Sequence, residues 1–202
     1  MTIKLTKNEL RIQQTRLNQF QRYLPTLQLK KAMLQFEVSL ALIEIQKLQN
    51  DAKAVLHRVE AFSPLLLEKV TVNIKEYAEV VHVKKQYENI AGVEIPTFKS
   101  IVFKEPEYFL FDTPVWTEGA TRILRELVTA REKVSIAEEK KRALEKELRE
   151  VSIRVNLFEK VLIPRSLENI KKIRIFLGDQ QLSSVAQAKV AKRKILMRKA
   201  EI

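Results

Sequence analysis

Two histidines and several runs of alternating acids and bases are the residues of this chain whose types could do chemistry. His57 and His82 lie far apart in a chain with no cysteine, and no carboxylate cluster at metal-ligand spacing accompanies either. Neither is placed to hold zinc or to share a proton with a partner, so each reads as a structural histidine. Glu138-Glu-Lys-Lys-Arg142 and Glu145-Lys-Glu147 set opposite charges at helical spacings. These are the spacings of solvated ion pairs along one helix face, not of an acid and a base facing a substrate. There is no G-x-x-x-x-G-K-[ST] loop, and three scattered glycines build no other known phosphate cradle. The chain is expected to bind no ATP, cofactor or metal by itself, and to be no enzyme.

What the chain does carry is two long apolar stripes. After Thr6-Lys7-Asn8-Glu9, which has the form of a capping box, residues recur at alternating spacings of four and three from Leu10 through Leu17, Phe20, Leu24, Leu27, Leu34, Val38, Ala41, Ile45 and Leu48 to Phe62. Gln13 and Lys31 are the polar members of that series. A second series runs from Ala120 through Ile123, Leu127, Val134, Ala137, Leu144, Leu148, Val151, Val155 and Phe158 to Leu162, with Lys141 its one polar member. A repeat averaging 3.5 keeps one helix face against a partner helix for many turns. Pro25 lies inside the first helix and is expected to bend it without dividing it. Past Pro164 the second stripe continues one residue out of frame, at Ile163, Leu167, Ile170 and Leu177.

Between the stripes the pattern changes. Ser63-Pro64 ends the first helix, a short helix is expected over 65–76, and two β-rich runs, Ala78 to Tyr87 and Val93 to Phe103, flank Asn89-Ile-Ala-Gly92 as a hairpin. Pro96 marks its strand as an edge or shortens it. An irregular connector over 104–112 leads to a cap at Thr113-Pro114. The expected fold is mainly α, a long antiparallel two-helix coiled coil with a small β-hairpin insertion at its base. Its segments are 1–63, 64–112 and 113–202. The helices are antiparallel because the insertion joins the end of one to the start of the other.

Of 202 residues, 31% are charged, and the formal net charge is +12. Lys4, Lys7, Arg11 and four more cations stand against Glu9 in residues 1–31, while Lys189, Lys192, Arg193, Lys194, Arg198 and Lys199 stand against Glu201 at the other end. Nearly all the excess is terminal, as a basic tip for a partner or as solubilising ends. No aromatic platform accompanies these lysines, so nucleic acid is not the expected partner. No run of eighteen apolar residues and no signal-peptide core is present, so any membrane association is expected through partners.

Arg154, Val155, Asn156, Glu159, Ile163 and Pro164, in the form R-V-N-x-x-E-x-x-x-I-P and followed by Leu167, Ile170, Ile173 and Leu177, resemble the D subunit of V-type and A-type rotary ATPases. Thr6, Leu10, Leu17, the Leu27 to Lys31 region and the hairpin segment Asn89 to Pro96 also fit that family, whereas Pro25 and Gly178-Asp-Gln-Gln depart from it. The resemblance implies a central-stalk rotor that couples a catalytic hexamer of A and B subunits to a membrane ion-translocating ring. It implies the small F subunit and the membrane-side C/d subunit as further partners, and a cytoplasmic location peripheral to the membrane. A prefoldin-like chaperone, which also joins coiled-coil helices through β-hairpins, and a basic coiled-coil nucleic-acid binder are the competing classes.

Placing Phe62 opposite Ala120 sets a register. It puts Lys31 opposite Val151, near Glu147 and Glu150, and Lys141 opposite Ala41, near Glu37 and Glu44, so each seam lysine is expected to reach an acidic neighbour. It also puts Pro25 opposite residue 157, about 10 Å along the axis from Pro164.

Overall fold

The computed structural model describes residues 3–62, 64, 76, 78–105 and 114–200. The break at Ser63, all but the last residue of the short helix expected over 65–76, and most of the connector and cap before Pro114 lie outside them. The elements are helix α1 (Lys7–Phe62), strands β1 (Val80–Ile90) and β2 (Val93–Phe103), helix α2 (Trp116–Leu157), a π-helical turn at Phe158–Leu162 and helix α3 (Ile163–Ala200). The fold is mainly α, with two long antiparallel helical arms and a hairpin between them in sequence. Contacts divide the chain into two units, residues 1–29 with 151–202, and residues 30–150.

α1 begins as its sequence dictates. The Glu9 amide donates to Thr6 Oγ1 at 3.3 Å, and the Leu10 amide donates to the Thr6 carbonyl at 3.0 Å. The Glu9 carboxylate does not return to the cap; it accepts from Gln13 Nε2 at 2.8 Å. The helix runs unbroken through Pro25, whose ring is exposed. A missing N–H and a crowded carbonyl cost least on the face turned to water. From Gln13 to Val59, no residue of the sequence-derived stripe is exposed, and Leu34, Ala41 and Ile45 are buried. The stripe is the inward face.

In the unit of residues 30–150, interhelix pairs show the direction and register. Lys30 Nζ meets Glu147 Oε1 at 2.7 Å, Lys140 Nζ meets Glu44 Oε2 at 2.8 Å, and Arg58 meets Glu126 at 3.2 Å. Rising numbers in α1 meet falling numbers in α2, so the two run antiparallel. The carboxylates are among those expected, but the lysines are each one residue earlier. Lys31 does not make the interhelix pair, and Lys141 pairs along its own helix with Glu145 at 3.4 Å. The physical reason is placement: a lysine flanking the seam can extend across it, while one inside the seam must first escape the apolar face. Lys30→Met is expected to cost only ~0.2–1 kcal/mol in urea unfolding, because the pair is partly solvated. A loss well above that range would mean that Lys30 is a core residue.

The hairpin turns at Ala91-Gly92, both with positive φ (52° and 82°), between the paired residues Ile90 and Val93. This is the backbone a two-residue hairpin needs, and Asn89 Oδ1 accepts from the Gly92 amide at 2.9 Å. β2 is not shortened by Pro96, which pairs with Tyr87 in a sheet of two strands. Each strand has an outer edge, so a missing N–H is tolerated there. The hairpin lies against the helices. Ile95 is fully buried, Lys133 Nζ sits 5.4 Å from the centre of the Phe98 ring and Arg125 5.3 Å from that of Phe103, and Lys85 binds Glu139. That packing buries Ile136, which is outside the 4-3 stripe of α2.

In the other unit, the edge of one ring meets the face of the other between Phe20 and Phe158, with centroids 5.3 Å apart. At Phe158–Leu162 the helix is π-helical, and the Ile163 amide donates to the Phe158 carbonyl. A π turn inserts one residue relative to the α ladder, which is the one-residue slip of the stripe. Pro164 supplies the cause: it has no N–H, and its ring would press on the carbonyl four residues back. Beyond the turn the buried positions are Ser166, Asn169, Ile170 and Ile173. Leu167, assigned to the stripe from sequence, is 49% exposed. The Phe20–Phe158 contact sets Pro25 near residue 153, so the prolines are about 16 Å apart along the axis, not about 10 Å.

Candidate interaction surfaces

The R-V-N motif spans the π turn, and only one of its side chains is in the core. Val155 is buried, Ile163 is half-buried, and Arg154, Asn156, Glu159 and Pro164 are exposed. The motif therefore joins a helical irregularity to a set of exposed polar groups.

Among the described residues, α1 and α3 each leave an apolar surface open. On the outer face of α1, Met33, Phe36, Leu40 and Ile43 are between 43% and 65% exposed, at spacings of three, four and three. This is a second coiled-coil-type stripe on the side away from the seam. It was legible in the sequence, but the stronger stripe on the same helix masks it. On α3, every residue from Asp179 to Met197 is exposed, including Leu182 at 71% and Leu196 at 58%. A single helix holding that much apolar surface in water is a surface without its cover. Gly178 and Gln180-Gln-Leu-Ser-Ser184 leave it helical.

The basic residues fall into two places. Lys4 lies beside Arg165, Ser166 and Asn169 of α3, with Lys7 and Arg11 exposed on the first turns of α1. Lys189, Lys192, Arg193 and Lys194 are exposed on α3, and the first of them is about 30 Å along the helix from Asn169. The side chains of Arg198 and Lys199 lie outside the described residues. Gln13, Arg16, Arg165, Ser166 and Asn169 line a cleft with Lys4 that the charge count did not single out. The signal for it was Gln13, a polar member of an otherwise apolar stripe.

The two histidines sit apart. His57 Nδ1 is 3.1 Å from Glu60 Oε2 one turn on, in the open, and His82 is exposed on β1. The hydrogen bond from Lys85 to Glu139 raises the lysine's pKa above its ordinary value, against a smaller desolvation effect. A raised cationic pKa stabilises the fold below the ordinary lysine range and is lost as pH climbs past it, so this contact is intact at neutral pH. Among the described residues, no helix is long and apolar enough to cross a membrane.

A long helix, a hairpin and a second long helix with an R-V-N…I-P turn match a known pattern along nearly the whole chain. The family model for the ATP synthase D subunit matches residues 9–193. The V-type ATP synthase D subunit of Chlamydia abortus is 44% identical over 204 aligned positions, covering 98% of this chain and 96% of that protein. The protein of the same name from Chlamydia felis is 45% identical with the same coverage. That from Chlamydia trachomatis serovar L2 is 43% identical over 198 positions, covering 98% of each. With all but the outer ends of the two helical arms, the hairpin and the π turn inside the match, the chain belongs to the D-subunit family of V-type ATP synthases.

Proposed function

We propose that this chain is the central-stalk rotor of a V/A-type rotary ATPase, transmitting torque between the catalytic A/B hexamer and the membrane ion-translocating ring without catalysing anything itself. The observation that carries the reading is the family match over residues 9–193, which takes in all but the outer ends of the two helical arms. The uncovered surfaces support it. α3 from Asp179 to Met197 has the length, the exposed leucines and the cations to sit inside a ring of other subunits. Met33, Phe36, Leu40 and Ile43 offer a face to a stalk partner such as the small F subunit, leaving the C/d subunit to connect the stalk to the ring. The exposed Asn156 and Glu159 then act in the assembly and not in the seam. The chain is peripheral to the membrane on its cytoplasmic side, as part of a membrane-bound complex, and reaches the bilayer only through its partners.

Co-purification tests this directly. A tagged copy expressed in its own cells is expected to bring down A, B, F and C/d subunits in fixed proportion, with nuclease treatment making no difference. The isolated chain is expected to release no phosphate from ATP. A prefoldin-like oligomer alone, or recovery of nucleic acid in place of the subunits, would overturn the proposal.

A further inference from the structure

The unit of residues 1–29 with 151–202 contains a cleft of about 500 Å³ where the start of α1 meets the first turns of α3. Lys4, Arg16 and Arg165 stand around it, and its one carboxylate, Glu9, accepts from the Gln13 side-chain amide. None of those three cations has an acidic partner among the described residues. Its wall holds three buried polar side chains: Gln13 is 6% exposed, Ser166 5% and Asn169 8%. Neither the Ser166 hydroxyl nor the Asn169 amide makes a hydrogen bond within the protein among the described residues.

A polar layer in a coiled coil can serve to set register when its members bond across the seam. Here Gln13 bonds back to its own helix, and Ser166 and Asn169 are left with unused capacity. Register-setting also has no need of three uncompensated cations. Donors on a cleft wall that have no protein partner can turn to a ligand, arginine forks match tetrahedral oxyanions two bonds at a time, and an excess of positive charge in a half-closed cleft concentrates anions. The π turn contributes by placement. It shifts the frame by one residue just before Pro164, bringing Ser166 and Asn169 to the buried face while Arg165 stays at the rim.

From these features together, we propose that this cleft is a binding site for a small, multiply charged oxyanion of the phosphate or pyrophosphate class. Arg16 and Arg165 would clamp it, Lys4 would add charge, and Ser166 and Asn169 would donate from the wall. This rests on the residues alone and is independent of the role of the assembled complex.

The test is calorimetric titration of the purified full-length chain with inorganic pyrophosphate, and separately with phosphate, at constant ionic strength in a chloride buffer. One saturable site is expected. Arg165→Gln and Arg16→Gln, both at exposed positions, should each weaken it by about tenfold, the scale of one lost charge-assisted contact. Lys194→Gln, on the distant part of α3, should leave it unchanged. Circular dichroism checks that the variants stay folded, and Asn169→Asp, which puts a negative charge on the wall, should abolish binding in a folded chain. Absence of saturable binding overturns the proposal. So does an equal loss in Lys194→Gln, which would mean general attraction to a basic protein.

Discussion

Crosslinking position 196 to the subunits around it should stop ATP turnover in the assembled complex. The chain has no cysteine, so Leu196→Cys carries a photoactivatable maleimide at one place only. Leu196 is 58% exposed on a helix with no cover of its own from Asp179 to Met197, so a label there leaves the seam undisturbed. If this end turns inside a stationary ring, one covalent bond blocks every turnover that requires rotation. Activity should then fall to that of the uncrosslinked fraction. The same label at Tyr87→Cys, on an exposed hairpin position, should join the chain to stalk partners that turn with it and leave turnover nearly intact. ATP hydrolysis measured before and after irradiation, with the crosslinked fraction read from a gel, decides the matter. Full activity with position 196 joined to an A or B subunit would remove this chain from the rotor.

Leu144→Ala and Leu34→Ala should each destabilise the isolated chain by about 2–5 kcal/mol, the cost of a buried leucine truncation with its cavity. Both side chains have no exposed surface, and the Lys30–Glu147 and Glu44–Lys140 pairs bracket them at one level of the seam. A two-helix seam has no second layer of core to collapse into the gap, so the losses belong toward the upper part of that range. Leu182→Ala, at 71% exposure, should change stability by no more than about 0.5 kcal/mol. Urea unfolding followed by circular dichroism at constant slope measures all three. Equal effects at Leu144 and Leu182 would show that the helices stand without their seam.

By itself the sequence determined the helical arms, the faces they bury and their direction. Local periodicity is enough for that: the 4-3 spacing from Leu10 to Val59 selects one side of a helix, and a short insertion between two such helices leaves them antiparallel. The hairpin was legible for the same kind of reason, since Asn89-Ile-Ala-Gly92 interrupts two β-rich runs. Even the frame slip before Pro164 was written in the apolar spacing, although its form, a π turn with the Ile163 amide on the Phe158 carbonyl, was not. Only tertiary structure decided the contacts that depend on reach and on a second neighbour. Whether Lys30 or Lys31 spans to Glu147 turns on which lysine flanks the seam. Ile136 is buried because the hairpin covers a second face of α2, a choice made by residues distant in sequence. The cleft joining Arg16 to Arg165 has the same origin, because the two arginines are neighbours only after the first turns of α1 dock on the residues following the π turn.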